Sequence, residues 1–259
     1  MRIPLYQIDA FADQPFAGNP AAICPLETWL DDVTMQNMAM ENNLSETAFF
    51  VGSNGKYELR WFTPTSEVDL CGHATLASAH VIFNHLEPDQ QNITFSTRSG
   101  DLVTSRRGDL IEMDFPSRPP EAAETNTALL QALGGKPEAA LLSRDYFVVY
   151  GTEAEVAALE PDMKALAGLD RWATIATAPG DNCDFVSRFF APGHGIDEDP
   201  VTGSAHCTLV PYWADRLGRD ELVARQISAR GGELHCRNLG DRVAIAGQAR
   251  DVLIGEFLL

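Results

Sequence analysis

Basic residues are scarce in this sequence. Nineteen Lys and Arg stand against 37 Asp and Glu, the formal net charge is −18, and the longest basic run is Arg106-Arg107. Neutralising a phosphate backbone needs a clustered cationic face, so nucleic-acid binding is not expected. Long apolar runs are missing as well: none reaches the roughly eighteen residues that a membrane span requires. The first residues carry no basic segment followed by an apolar stretch, so no secretory signal is expected. The five cysteines, Cys24, Cys71, Cys183, Cys207 and Cys236, are odd in number and show no C-x-x-C spacing. That usage suits a reducing compartment and points to a cytoplasmic protein. Neither G-x-G-x-x-G nor a P-loop is present, and no cofactor is expected. Cys71, His73 and His80 form one conceivable metal set and His194, His206 and Cys207 a second. Neither has tight ligand spacing of the H-E-x-x-H kind, and no metal is expected.

What remains is ordinary globular composition, with 45% hydrophobic and 22% charged residues over 259 positions. That length is close to where one hydrophobic core stops growing, so one large or two small domains are expected. Alternation and turn residues predict strands over 5–11, 21–24, 47–51 and 57–62. The last two are joined through Ser53-Asn54-Gly55, a hairpin signal because Asn and Gly tolerate positive φ. A short helix is predicted over 31–41. Residues 74–86 contain no Asp, Glu, Lys or Arg although helix formers dominate, which describes a helix buried on most sides. Three short strands follow over 92–115. Pro116, Pro119 and Pro120 then mark the best linker. Beyond it the pattern predicts a helix over 127–133, strands over 139–142 and 147–149, an amphipathic helix over 153–166, and a hairpin from strands over 174–178 and 184–190.

The two halves resemble each other. Aligning Leu59-Arg-Trp-Phe-Thr-Pro64 with Ser187-Arg-Phe-Phe-Ala-Pro192 matches Arg60 to Arg188, Phe62 to Phe190 and Pro64 to Pro192, and Asp69 to Asp197 at the same offset. Gly72-His73-Ala74 then corresponds to Gly203-Ser204-Ala205, each opening a helix nearly free of charge. This reads as an internal duplication. Taken singly, each glycine closes a tight turn and Ser204 is an N-cap. As a repeated pair, the two turns present helix N-termini, whose unpaired N–H groups suit a carboxylate.

Asp9-Ala-Phe11 with Phe16-Ala-Gly-Asn-Pro20, Asn43-Leu-Ser-Glu-Thr47, Cys71-Gly-His-Ala-Thr75 and Asp197-Glu-Asp-Pro-Val-Thr-Gly-Ser-Ala205 resemble, in order, the motif set of the PhzF-like isomerases of the diaminopimelate epimerase-like superfamily. The resemblance implies an α+β fold of two similar domains, each a curled, mainly antiparallel sheet around a central helix. The domains would span 1–116, joined by a last strand at about 250–259, and 121–249. It also implies a homodimer and a small carboxylate-bearing substrate bound between the domains. Glu46 matches the family's acid/base, although a lone Glu before a strand reads by itself as a solvated surface residue. His73 and Asp199 match residues beside it. Gly72 and Gly203 match the turns near the substrate carboxylate, and Ser204 matches a substrate-contacting serine. Glu46 would have to be shielded from water to take a proton from one carbon and return it to another. The epimerase relatives use two facing cysteines. Here Cys71 is retained, but Asp199-Pro-Val-Thr-Gly203 offers no partner and Cys207 lies inside the second helix. A one-thiol epimerase using Cys71 and a non-catalytic binder of small acids remain the alternatives.

Overall fold

The computed structural model describes residues 1–124 and 126–259. The chain divides into two compact units, Met1–Phe115 with Ile245–Leu259, and Pro116–Ala244. No helix among the described residues is long and apolar enough to cross a membrane.

The first unit contains β1 (Arg2–Ala10), β2 (Asn19–Leu26), α1 (Asp32–Asn42), β3 (Glu46–Ser53), β4 (Lys56–Phe62), β5 (Glu67–Val68) and α2 (Gly72–Val81). After a π-helical turn at Ile82–Leu86 come β6 (Asn92–Thr97), β7 (Gly100–Arg107) and β8 (Leu110–Pro116). The turn between β3 and β4 places Asn54 and Gly55 at φ 56° and 72°, the positive values a two-residue hairpin needs. Every side chain of α2 from His73 to Val81 is buried, as the absence of charge in this stretch predicts. Its hydroxyls bond within the helix: that of Thr75 donates to the Cys71 carbonyl at 2.6 Å and that of Ser78 to the Ala74 carbonyl at 2.8 Å. The charge-free stretch does not stay α-helical to its end, because Glu87 N–H closes on the Ile82 carbonyl five residues back, at 2.7 Å. Met35 and Met38 from α1 pack with Phe49 and Phe62 in one apolar cluster.

The second unit contains β9 (Glu121–Ala122), α3 (Thr127–Leu133), β10 (Ala139–Leu142), β11 (Tyr146–Val149), α4 (Glu153–Ala157), α5 (Met163–Ala167), β12 (Thr174–Pro179) and β13 (Phe185–Phe190). It continues with α6 (Gly203–Leu217), β14 (Glu221–Gln226) and β15 (Gly232–Asn238). β16 (Arg242–Gly247) and β17 (Ala249–Leu258) complete the chain. The single amphipathic helix predicted over 153–166 is two short ones. Pro161 supplies no N–H and restricts the residue before it. The chain restarts at Asp162, whose carboxylate accepts from Ala165 N–H at 3.0 Å. Thr152 and Glu155 form a reciprocal capping box on α4. The core is built on Leu133, Val148, Tyr150, Val186 and Phe190.

The duplication is visible in the pairing. In the first unit β1/β2 is antiparallel, β2/β3 parallel, β3/β4 antiparallel, β4/β6 parallel and β6/β7 antiparallel. In the second, β10/β11 is antiparallel, β11/β12 parallel, β12/β13 antiparallel, β13/β14 parallel and β14/β15 antiparallel. The buried helix enters at the same point of each series, as α2 before β6 and as α6 before β14. Matching arginines behave alike. Arg60 forks onto Glu67 at 2.7 and 2.8 Å over the Phe62 ring, and Arg188 onto Glu198 at 2.7 and 2.9 Å over Phe190. The acids sit 7 and 10 residues after their arginines, so the constant offset of Asp69 and Asp197 does not mark the equivalent carboxylates. The extra residues in the second unit form a 3-10 turn at Pro192–His194.

Candidate active site

In the first unit three local stops aim three side chains at one another. α1 ends because Asn43 turns left-handed, φ 50°, and its N–H closes on the Ala39 carbonyl. Three residues later Glu46 begins β3, so its carboxylate stands at the sheet's rim rather than in the solvent, 9% exposed. The loop before β2 is folded by Asp9, whose carboxylate accepts from Phe16 N–H at 2.7 Å, and by Gly18. At φ +65° a Cβ on Gly18 would meet the Ala10 carbonyl oxygen at 2.1 Å, so only glycine fits. This loop delivers Asn19, fully buried. The third stop is the start of α2 at Gly72, where Cys71 is the N-cap and no side-chain oxygen caps the first turn.

His73 is the hub. Its Nε2 lies 3.1 Å from Glu46 Oε2, its Nδ1 3.2 Å from the Asn19 side-chain amide and 3.5 Å from Cys71 Sγ. The Glu46 contact is at ion-pair distance but off the hydrogen-bonding axis, since that buried oxygen has no aligned donor. Burial lowers the His73 pKa, but negative charge at Cys71 and Glu46 raises it by more, and the outcome is a histidine held well above its ordinary value. Burial, followed by the Glu46 charge, pushes the Cys71 thiol up to about 11. Cys71 is therefore a thiol near neutral pH, so the part of the His73 shift that needs a Cys71 charge is absent there, and Glu46 is the negative group left beside the ring. A protonated ring has no acceptor, so with His73 charged the Asn19 amide presents its oxygen to Nδ1, an orientation related to the other by a simple flip.

In the second unit the segment before α6 is tied down from β14. Gln226, 1% exposed, donates to the Asp199 carbonyl at 2.6 Å and to the Thr202 hydroxyl at 3.1 Å, and accepts from Thr202 N–H at 2.8 Å. The Thr202 hydroxyl in turn donates to the Asp199 carboxylate. Thr202 is the N-cap of α6, yet its oxygen is turned to Asp199 and caps nothing. The first N–H groups, from Gly203 onward, thus lack a side-chain cap and carry the partial positive charge of a helix start. Arg144 strengthens that field: its guanidinium lies 3.5 Å from Ser204 Oγ, braced on the Asp145 carboxylate at 2.8 Å and stacked over Trp172.

The sequence-predicted residues thus fall into two sets. Glu46, Gly72 and His73 assemble in the first unit, and Asp199, Gly203 and Ser204 around the α6 start in the second. Sequence reading missed Asn19 as a partner of His73, although it had marked the loop that carries it. It missed Gln226 and Arg144 altogether, and neither stands in a pattern that distinguishes it from a surface strand residue or a loop cation. The first conceivable metal set is rearranged: Cys71 and His73 lie with Glu46, while His80 lies with His85 and Asp251. The second does not assemble among the described residues. His194 stacks on Trp172 with centroids 4.4 Å apart, and His206 Nδ1 donates to the Thr202 carbonyl at 2.9 Å.

A family model described as phenazine biosynthesis-like protein matches residues 8–255. A protein of Pseudomonas aeruginosa named an uncharacterized isomerase is 53% identical over 259 residues, covering 100% of both chains. The crystal structure of a PhzF-family phenazine biosynthesis protein from Enterococcus faecalis is similar with a TM-score of 0.98 at 48% identity, again over 100% of both chains. A hydroxyproline epimerase from Agrobacterium vitis, 10% identical, shares the fold with a TM-score of 0.62 over 98% of this chain and 92% of its own. The fold is α+β and diaminopimelate epimerase-like.

Proposed function

Since the chain belongs to the phenazine biosynthesis-like protein family, we propose that it is an isomerase that moves a proton between two carbons of a small carboxylate-bearing molecule, with Glu46 as acid/base and without a cofactor. The observation that carries this reading is the buried Glu46–His73 contact at 3.1 Å. A shielded carboxylate beside a positively charged imidazole is an arrangement that can take a proton from carbon and hold the charge that results. In the forward step a Glu46 oxygen takes the C–H proton, and the electron pair of that bond delocalises into the substrate. The charge developing there is met by the His73 cation. Glu46 then returns the same proton to the second carbon, so the atoms of substrate and product are identical.

The same reading assigns the substrate carboxylate to the helix starts at Gly72 and Gly203, with Ser204 and Arg144 as further donors. Asp199, held by Thr202 and Gln226, orients the remaining polar groups. It also makes the protein a cytoplasmic homodimer. A second reading, a one-thiol epimerase, is favoured by the 3.5 Å between Cys71 Sγ and His73 Nδ1 and opposed by the raised pKa of that thiol.

The test is a proton NMR screen of small amino and hydroxy acids in deuterium oxide, using wild type, Glu46→Gln and Cys71→Ser. Exchange or isomerisation in wild type and Cys71→Ser but not in Glu46→Gln is the expected result. Exchange that survives in Glu46→Gln and vanishes in Cys71→Ser establishes the thiol instead. Line broadening without exchange in all three marks a binding protein.

A further inference from the structure

Away from Glu46, the first unit gathers a second set of ligating atoms. His80 Nε2 lies 3.3 Å and His85 Nε2 2.9 Å from the same atom, Asp251 Oδ1. We propose that His80, His85 and Asp251 form a binding site for a divalent transition ion of the Zn2+ class that fastens the C-terminal strand β17 to the end of α2.

Two irregularities of the backbone converge on these side chains. In an α-helix, residues five apart point about 140° away from each other. The π-helical turn at Ile82–Leu86, closed by Glu87 N–H on the Ile82 carbonyl, removes that divergence and lets His80 and His85 reach one point. Single π-turns are rare and concentrate at functional sites. On the strand side, β1 pairs Gln7 with Leu253 but Ile8 with Asp251. Val252 is therefore an extra residue in β17, a bulge of the kind that re-aims a neighbouring side chain. The bulged strand presents Asp251 to both imidazoles.

The spacing fits an ion. Bonds of about 2.0–2.1 Å to nitrogen and carboxylate oxygen in a tetrahedral site put ligand atoms about 3.3 Å apart. The three atoms all lie within 4.8 Å of one another, so small rotations suffice. Two imidazoles and one carboxylate without a thiolate select a borderline ion and leave positions for water. The imidazoles are also held in orientation. Tyr6 packs on the His85 ring with centroids 5.1 Å apart, and the Asn84 side-chain amide lies 3.0 Å from His80 Nδ1 and 3.3 Å from its Nε2. Arg250, a cation that acts on His80, has its guanidinium on the carbonyls of Asp13 and Ala249 and on Gln248 Oε1, and Arg106 has its own on the Phe83 carbonyl. A cleft lined by His80, Asn84, Arg106, Asp109 and Arg250 gives access.

The rival place for an ion is the Glu46, Cys71 and His73 group, and the experiment separates the two. Chelator-treated full-length protein is titrated with Co2+ while visible ligand-field absorption is recorded, for wild type, His85→Ala, Asp251→Asn and Cys71→Ser. Thermal melts establish that each variant is folded. The expected result is one Co2+ per chain with a Kd of about 1 μM or tighter, no ultraviolet thiolate charge-transfer band, and the same affinity in Cys71→Ser. Losing an outer partner of a metal ligand already costs about 10–100-fold, so His85→Ala and Asp251→Asn, which remove direct ligands, should weaken binding at least about 100-fold. Zn2+ should displace Co2+ and raise the melting temperature of wild type but not of His85→Ala. Weaker binding by wild type, undiminished binding by His85→Ala, or loss of binding in Cys71→Ser each overturn the proposal.

Discussion

Lowering the pH should destabilise the second unit through His206 before most carboxylates have titrated. Its Nδ1–H donates to the Thr202 carbonyl, and its Nε2 is buried without a hydrogen-bond partner beside the Phe185 ring. Burial lowers the pKa of this ring from 6.5 to about 4. An unfolded chain therefore takes up the proton at higher pH than the folded one, and between those values stability falls as pH falls. The gap of two to three pH units, at about 1.4 kcal/mol each, sets a ceiling of about 3 kcal/mol, most of which is lost by pH 4. His206→Asn keeps an amide donor near the Nδ1 position and removes the titration. Urea unfolding of both proteins from pH 7 to pH 4, followed by a probe on α6, gives the difference directly. Groups common to both backgrounds, His73 included, cancel. Wild type should lose about 3 kcal/mol relative to His206→Asn over that range. Parallel curves would refute the reasoning and show that the histidine is already protonated, or equally solvated, in the folded protein.

Three further outcomes follow from the geometry. With a pKa of about 11, roughly one Cys71 thiol in 10,000 is ionised at pH 7, so its alkylation, read by mass spectrometry of the modified peptide, should be about 100-fold or more slower than that of an unfolded control. Gln226→Ala leaves the Thr202 N–H without the amide oxygen that receives it, and should cost about 1–3 kcal/mol in urea unfolding while raising KM more than it lowers kcat. Gly18→Ala drives a Cβ onto the Ala10 carbonyl at positive φ and should cost a few kcal/mol, roughly 1–3 from the backbone alone, with hydrogen exchange rising first in the Asp9–Asn19 loop.

Most elements can be read from the chain because their signals are local. Asn54-Gly55 dictates its hairpin, and a stretch without charge dictates a helix with no solvent face. The repeat around Arg60 and Arg188 is equally plain, since each strand uses the same ion pair over the same aromatic ring. What escaped reading depends on a single residue or on distant partners. Pro161 splits a helix whose hydrophobic pattern runs straight through it. The π-turn after Val81 has no compositional mark, and it is what brings His85 round to the side of His80 and Asp251. Glu46 is the instructive case: by its type and neighbours it belongs on the surface, and only the motif around it suggested otherwise. Its burial follows from Asn43 ending α1 abruptly three residues earlier, a consequence of one left-handed residue. Gln226 and Arg144 act through contacts 27 and 60 residues away, a distance no local pattern spans.

The central claim, that one carboxylate carries the proton from carbon to carbon, is tested most directly by the fate of that hydrogen. Substrate found in the NMR screen is labelled with deuterium at the donor carbon and converted in ordinary water by excess enzyme in a single turnover. Shielded Glu46 acting alone should deliver a measurable share of that deuterium to the acceptor carbon of the product, and Glu46→Gln should deliver none. Product hydrogen drawn entirely from solvent, or deuterium transfer that persists in Glu46→Gln, would contradict the account.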